Sequence, residues 1–243
     1  MFLERSNEMD FLIALFYTSV FTVIFKEAIK RHPLVFYLLG AALVGWYLYA
    51  CAYGAPVLVW KYLLTFIKKC HLATSFFTIV MFIGVLSPSS KIRLYLNPIR
   101  SELSIIGSIL ACGHVIGYVS PFIQHIRSGF VEASPKMVAM ILLSFVVVVM
   151  LAVLTITSFT FVRKKMTARS WKHVQRLAYP FFLLIFIHAL LYLMPAVLYG
   201  SRSSINLTAA LYSVLFFTYI ILRSIRELKE CGVISALGIS HNR

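Results

Sequence analysis

Two histidines stand deep inside apolar runs of this sequence. His114 lies in "SIIGSILACGHVIGYV" and His188 in "LAYPFFLLIFIHALLYLMPAVLYG". Ionisable groups at such positions are costly in hydrocarbon, and they mark either function or interhelical hydrogen bonds. A neutral imidazole is also the commonest metal ligand. His114 is 14 residues beyond Arg100, and His188 is 12 beyond Arg176. At about 1.5 Å per helical residue the two rings reach similar depth on helices that run the same way. Two such imidazoles suit both axial positions of a haem iron. A single intramembrane histidine is ordinarily explained by a hydrogen bond between helices. The matched pair, with no acid in either apolar run, favours the iron.

The residues around His114 extend the idea. Ser104, Gly107, Ala111 and Gly117 share its helical face. A stripe of small residues leaves room for a flat macrocycle, and it equally serves close helix packing. Around His188 the same face carries Phe181, Leu184, Leu191, Tyr192 and Pro195. These bulky groups can wall a porphyrin or simply face lipid and core.

The elements that must hold these residues follow from composition. The 243-residue chain is 60% hydrophobic and only 13% charged, against about 25% charged for soluble domains. Apolar segments at approximately 11–25, 34–53, 71–87, 101–122, 137–161, 177–199 and 205–222 predict seven membrane-crossing helices. The fold class expected is all-α, an integral membrane helical bundle. Residues 54–69 read as an amphipathic stretch in the interface or an overlong continuation of the second helix. The first segment, 11–25, has no small-residue cleavage site after it and reads as a retained helix.

Net charge is +15, which raises nucleic acid as a partner. The basic residues instead sit in short loops at the ends of apolar runs, so they signal topology and contact with anionic membrane lipid. With the N-terminus outside and seven crossings, about two-thirds of the 23 Lys and Arg residues fall on the cytoplasmic side. The C-terminus then lies in the cytoplasm. The cluster of Lys61, Lys68 and Lys69 runs against that orientation.

Several chemistries are unsupported. No CxxC pairs occur among Cys51, Cys70, Cys112 and Cys231, so zinc and iron–sulfur motifs are absent. No GxGxxG or GxxxxGK[ST] is present. All eight acidic residues lie at segment ends or in loops, leaving no buried carboxylate for an ion-coupled transporter. His71 and His125 sit near the outer ends of their segments and suit docking of a partner or metal, or are plain interfacial groups. His32 and His241 read as solvated.

Four pieces together resemble the ferric reductase-like transmembrane family. They are "LSPSSK" at 86–91, "NPIRSELSIIGSILACGHVIGYV" at 97–119, "LTITSFTFVRKKMTARSW" at 154–171 and "WKHVQRLAYPFFLLIFIH" at 171–188. The nearest branch is the haem-binding membrane subunit of the periplasmic methionine sulfoxide reductase system, of MsrQ/YedZ type. The resemblance covers roughly 34–222. It implies a six-helix ferric reductase-like core, with residues 1–33 as an additional N-terminal transmembrane helix and loop, and 223–243 as a basic cytoplasmic tail.

The resemblance further implies haem b held by histidines. Electrons would pass from a quinol or flavin donor to an extracytoplasmic reductase subunit or acceptor protein. His114 and His188 match ligand positions. The family commonly has a second histidine four residues after the tryptophan, 13 before the position of His188; here that residue is Gln175, and Ser101 stands 13 before His114. One haem is therefore expected, with FMN or a quinone in the inner half. Arg100, Gln175 and Arg176 are candidate lining for an inner polar pocket. Arg100 and Arg176 serve equally well as interfacial anchors. The alternative is a haem-free binding or assembly protein that keeps the fold and uses its histidines for interhelical hydrogen bonds.

Overall fold

The computed structural model describes residues 10–54, 58–129, 134–199 and 203–230. Those residues form helices α1 (Asp10–Ile24), α2 (Lys26–Arg31), α3 (Pro33–Tyr53), α4 (Leu58–Lys68), α5 (His71–Val85) and α6 (Lys91–Leu96). They continue as α7 (Arg100–Arg127), α8 (Pro135–Ser158), α9 (Thr160–Arg163), α10 (Ala168–Gln175), α11 (Ala178–Tyr199) and α12 (Ser203–Glu230). No strand occurs among them. The protein is an all-α integral membrane bundle, as its composition requires.

Five helical stretches are long and apolar enough to cross a bilayer, and the 15-residue helices α1 and α5 are apolar but shorter. Fifteen residues reach about 22 Å, less than a hydrocarbon core of about 30 Å. Position in the bundle explains α5. It packs against α1, α4, α7, α11 and α12, and most of its side chains are buried. The C-terminal end of α5, where Gly84 and Leu86 are half-buried, leaves carbonyls that need partners outside the helix. Three arginines supply the partners. Arg100 Nε donates to the Val80 carbonyl at 3.1 Å, Arg93 donates to Leu86 at 2.7 Å, and Arg226 donates to Gly84. A side chain at Gly84 would lie 3.1 Å from the Arg100 guanidinium, so glycine there makes the space.

Two expectations about boundaries change. Residues 58–68 are a separate helix rather than a continuation of α3, which ends at Gly54 with φ +90. The buried side of α4 enters the bundle: Leu64 and Ile67 are buried, and Ile67 packs on α7 at Gly113. The stretch expected to be a tail from residue 223 starts as the last turns of α12, with Arg223 paired to Glu227 and Arg226 tied to α5. Residues 231–243, including His241, lie outside the described residues. The helix outside the resemblance, α1, packs directly against α5. Its Asp10 also corrects the expectation of no buried carboxylate: it is only 7% exposed and pairs with Lys69 at 3.1 Å.

Candidate functional site

Helix α8 orients the two histidine-bearing helices. Ser104 and Ser108 on α7 meet Ser158 and Thr155 on α8. One number rises as the other falls, so α7 and α8 are antiparallel. Gln175 Nε2 donates to Thr157 Oγ1 at 3.0 Å, and His188 Nδ1 lies 3.4 Å from Ser144 Oγ. The chain from α10 into α11 therefore also runs antiparallel to α8. It follows that α7 and α11 are parallel, as the depth argument needs.

Their relative depth can be read from shared contacts. The Phe77 ring of α5 packs on Gly107 of α7 and on Phe181 of α11, the two rings 5.4 Å apart. Each histidine lies seven residues beyond its contact residue, about 10 Å further out. Counted instead along α8 from Thr155 to Ser144, His188 sits about five residues, some 8 Å, further out than His114. The offset is bracketed by these two values.

The hydrogen bonds fix what each ring can offer. His114 Nδ1 is 2.6 Å from the Lys68 carbonyl, which can only accept, so Nδ1 carries the proton. Ser144 spends its hydroxyl proton on the Met140 carbonyl at 2.7 Å, so its oxygen accepts from His188 Nδ1. Both imidazoles are held as the tautomer whose Nε2 has a free lone pair. Among the described residues neither Nε2 has a hydrogen-bond partner. A ligating histidine characteristically donates its other N–H to a carbonyl or similar group. The donor set thus fits a bis-imidazole iron. Among the described residues no three His, Cys, Asp or Glu side chains cluster as a metal site, and a haem iron needs only two protein ligands.

Other residues expected at the site have different employment. Gly107 is taken up by helix packing: a Cβ there would lie 3.0 Å from Phe76 Cβ and 3.1 Å from Phe77 Cε1. Ala111 is buried in the main core. Gly117 receives the Tyr47 hydroxyl, and Ser104 bonds Ser158. The small stripe is a packing surface against α3, α5 and α8. Arg100 is committed to α5, Gln175 to Thr157, and Arg176 is exposed. These three do not converge on one inner pocket. Trp171 anchors α10 by donating to the Thr157 carbonyl at 3.0 Å.

Of the other histidines, His71 is buried with Nδ1 3.3 Å from the Tyr212 hydroxyl, whereas His32 and His173 are exposed. The His125 side chain lies outside the described residues. Sequence reasoning missed the Lys68 carbonyl, which has no side-chain signal. It also missed Ser144, which stands out only as a polar residue in the apolar run of α8.

A profile of the ferric reductase-like transmembrane component matches residues 69–186, which run from α5 into the first part of α11. A protein of Treponema pallidum (strain Nichols), described only as an uncharacterized protein, is 30% identical over 257 aligned positions. The alignment covers 96% of this chain and 69% of that protein. Over residues 69–186, just under half of its length, the chain is similar to the ferric reductase-like transmembrane family. The matched region contains all of α7 with His114 and the first part of α11, and His188 lies two residues past its end. That similarity suggests a role in membrane electron transfer.

Proposed function

We propose that this protein is a haem b cytochrome subunit of the membrane, carrying electrons from a quinol or flavin donor to an extracytoplasmic reductase or acceptor. The observation that carries the reading is the histidine pair. His114 and His188 stand on parallel helices and are each held with Nδ1 as donor and Nε2 as the free base. Bound there, haem b supplies a one-electron iron couple. This chain's own residues then hold, orient and insulate. Lys68 and Ser144 set the ring tautomers, and Phe77 and Phe181 exclude water on the inner side of the histidines.

A single haem is favoured, because Gln175 is bonded to Thr157 and Ser101 Oγ to Glu102. Flavin or quinone is the proposed occupant of the inner half. The basic loops favour an outside N-terminus and a cytoplasmic C-terminus. Within the family, the MsrQ/YedZ type remains the nearest branch by the pieces at 97–119 and 171–188.

The same bonds support a second reading. His114 to Lys68 and His188 to Ser144 are interhelical hydrogen bonds complete in themselves, as a haem-free assembly protein requires. A dithionite-reduced minus oxidised spectrum with a pyridine haemochrome count separates the two. One b-type haem per chain, lost in His114→Ala and in His188→Ala, is expected. Folded, colourless protein from haem-replete cells would refute the cytochrome and leave the assembly reading.

A further inference from the structure

The turn between α4 and α5 carries the hydrogen-bond acceptor of His114, and it is built in an unusual way. Lys69 N bonds Thr65 O and Cys70 N bonds Ile67 O, both at 2.9 Å, which ends α4. The Lys68 carbonyl is one of the orphan acceptors of a helix C-terminus, and it accepts from His114 at 2.6 Å. Cys70 then takes φ 60, the left-handed region that a residue with a side chain adopts only under constraint. Something outside the turn must hold it.

The constraint comes from α1. Asp10, buried at the helix start, pairs with Lys69 Nζ at 3.1 Å. Its neighbour Phe11 is buried against the His71 ring and stacks on Tyr212 at 4.4 Å. Tyr212 in turn places its hydroxyl 3.3 Å from His71 Nδ1. The two residues flanking Cys70 are thus each gripped by consecutive residues of α1. The Asp10 carboxylate is buried while Lys69 is half-buried, so the carboxylate depends on this partner for its charge.

We infer that Asp10 is a positioning residue for His114. It acts through Lys69 and the left-handed Cys70 to aim the Lys68 carbonyl at the ring. The inference rests on the cytochrome reading for its consequence and on the ion pair alone for its mechanism. Helix α1, outside the matched family region, is then a working part of the ligand's support rather than an appended span.

The experiment is 15N-histidine NMR of full-length protein in nanodiscs, with and without haem, the His114 Nδ1–H signal being assigned by His114→Gln. In Asp10→Asn and Lys69→Met the hydrogen-bonded Nδ1–H signal is lost or moves toward that of a free ring. The swap Asp10→Lys with Lys69→Asp restores it. In haem-loaded protein Asp10→Asn also retains haem roughly ten-fold less well. Its midpoint potential moves positive, because an imidazole without its acceptor is a weaker donor to ferric iron.

An unchanged Nδ1–H signal in folded Asp10→Asn overturns the proposal, whatever happens to thermal stability. If Asp10→Asn does not fold, Asp10→Glu keeps the charge on a longer arm and must shift the same signal; no shift overturns it. A signal that responds in protein that never binds haem supports the positioning role and removes the cytochrome reading instead.

Discussion

Replacing Gly113 with alanine tests whether α4 really abuts α7 beside the histidine. A Cβ at Gly113 would lie 2.7 Å from Ile67 Cγ2, with Val44 methyls at 3.3 and 3.4 Å. Ile67 is 1% exposed and β-branched, so it has little freedom to turn away. Overpacking of this kind costs about 1–3 kcal/mol. The gain in helix propensity from Gly to Ala is about 1 kcal/mol. The net expectation is a destabilisation of about 0–2 kcal/mol, with α4 pushed outward. Because Ile67 precedes Lys68, the same push lengthens the 2.6 Å bond to His114.

The decisive assay is a double-mutant cycle with Ile67→Ala, measuring unfolding free energies in mixed micelles. Ile67→Ala alone costs about 2–5 kcal/mol as a core truncation. In that background only the milder Val44 contacts remain, and Gly113→Ala becomes neutral or favourable by up to about 1 kcal/mol. The coupling energy should therefore be about 1–3 kcal/mol. If Gly113→Ala has the same effect in both backgrounds, α4 does not pack here and the geometry assigned to His114 is wrong.

Three further outcomes follow from named contacts. Ser144→Ala removes the acceptor of His188 Nδ1; haem titration should show up to about ten-fold weaker binding, with unchanged helicity by circular dichroism. Thr157→Val deletes the Gln175 bond but leaves the carbonyl that receives Trp171; thermal unfolding should report a loss of about 1 kcal/mol, and a loss above 3 would contradict the two-anchor docking of α10. Tyr219 buries a hydroxyl that has no hydrogen-bond partner among the described residues; Tyr219→Phe should leave stability level or raised, and a clear drop in the same assay would reveal a partner for that oxygen.

Much of the site was legible because depth in a membrane is a one-dimensional quantity. Counting from Arg100 and Arg176 along helices of known rise placed His114 and His188 near one level. The antiparallel contacts through α8 bear out the shared direction. What a face packs against is not one-dimensional. The stripe of Ser104, Gly107, Ala111 and Gly117 was equally suited to a macrocycle or to neighbouring helices. Phe76, Phe77, Tyr47 and Ser158 claim it. Arg100, a candidate for pocket lining or an interfacial anchor, donates to the Val80 carbonyl of α5, and backbone acceptors leave no trace in side-chain pattern.

By itself the sequence determined the class of solvent, the all-α architecture and the seven apolar segments, since hydrocarbon forces each backbone to satisfy its own hydrogen bonds within a helix. It also singled out His114 and His188 as the candidate iron ligands. Only the tertiary structure decided that α5 is a short central helix, that the last turn of α4 lies against α7, and that Asp10 is buried beside Lys69. Those outcomes depend on which helices become neighbours. That choice is made by the fit of side chains between helices distant in sequence, such as Ile67 against Gly113 and Phe11 against Tyr212, and no periodicity along one helix encodes it.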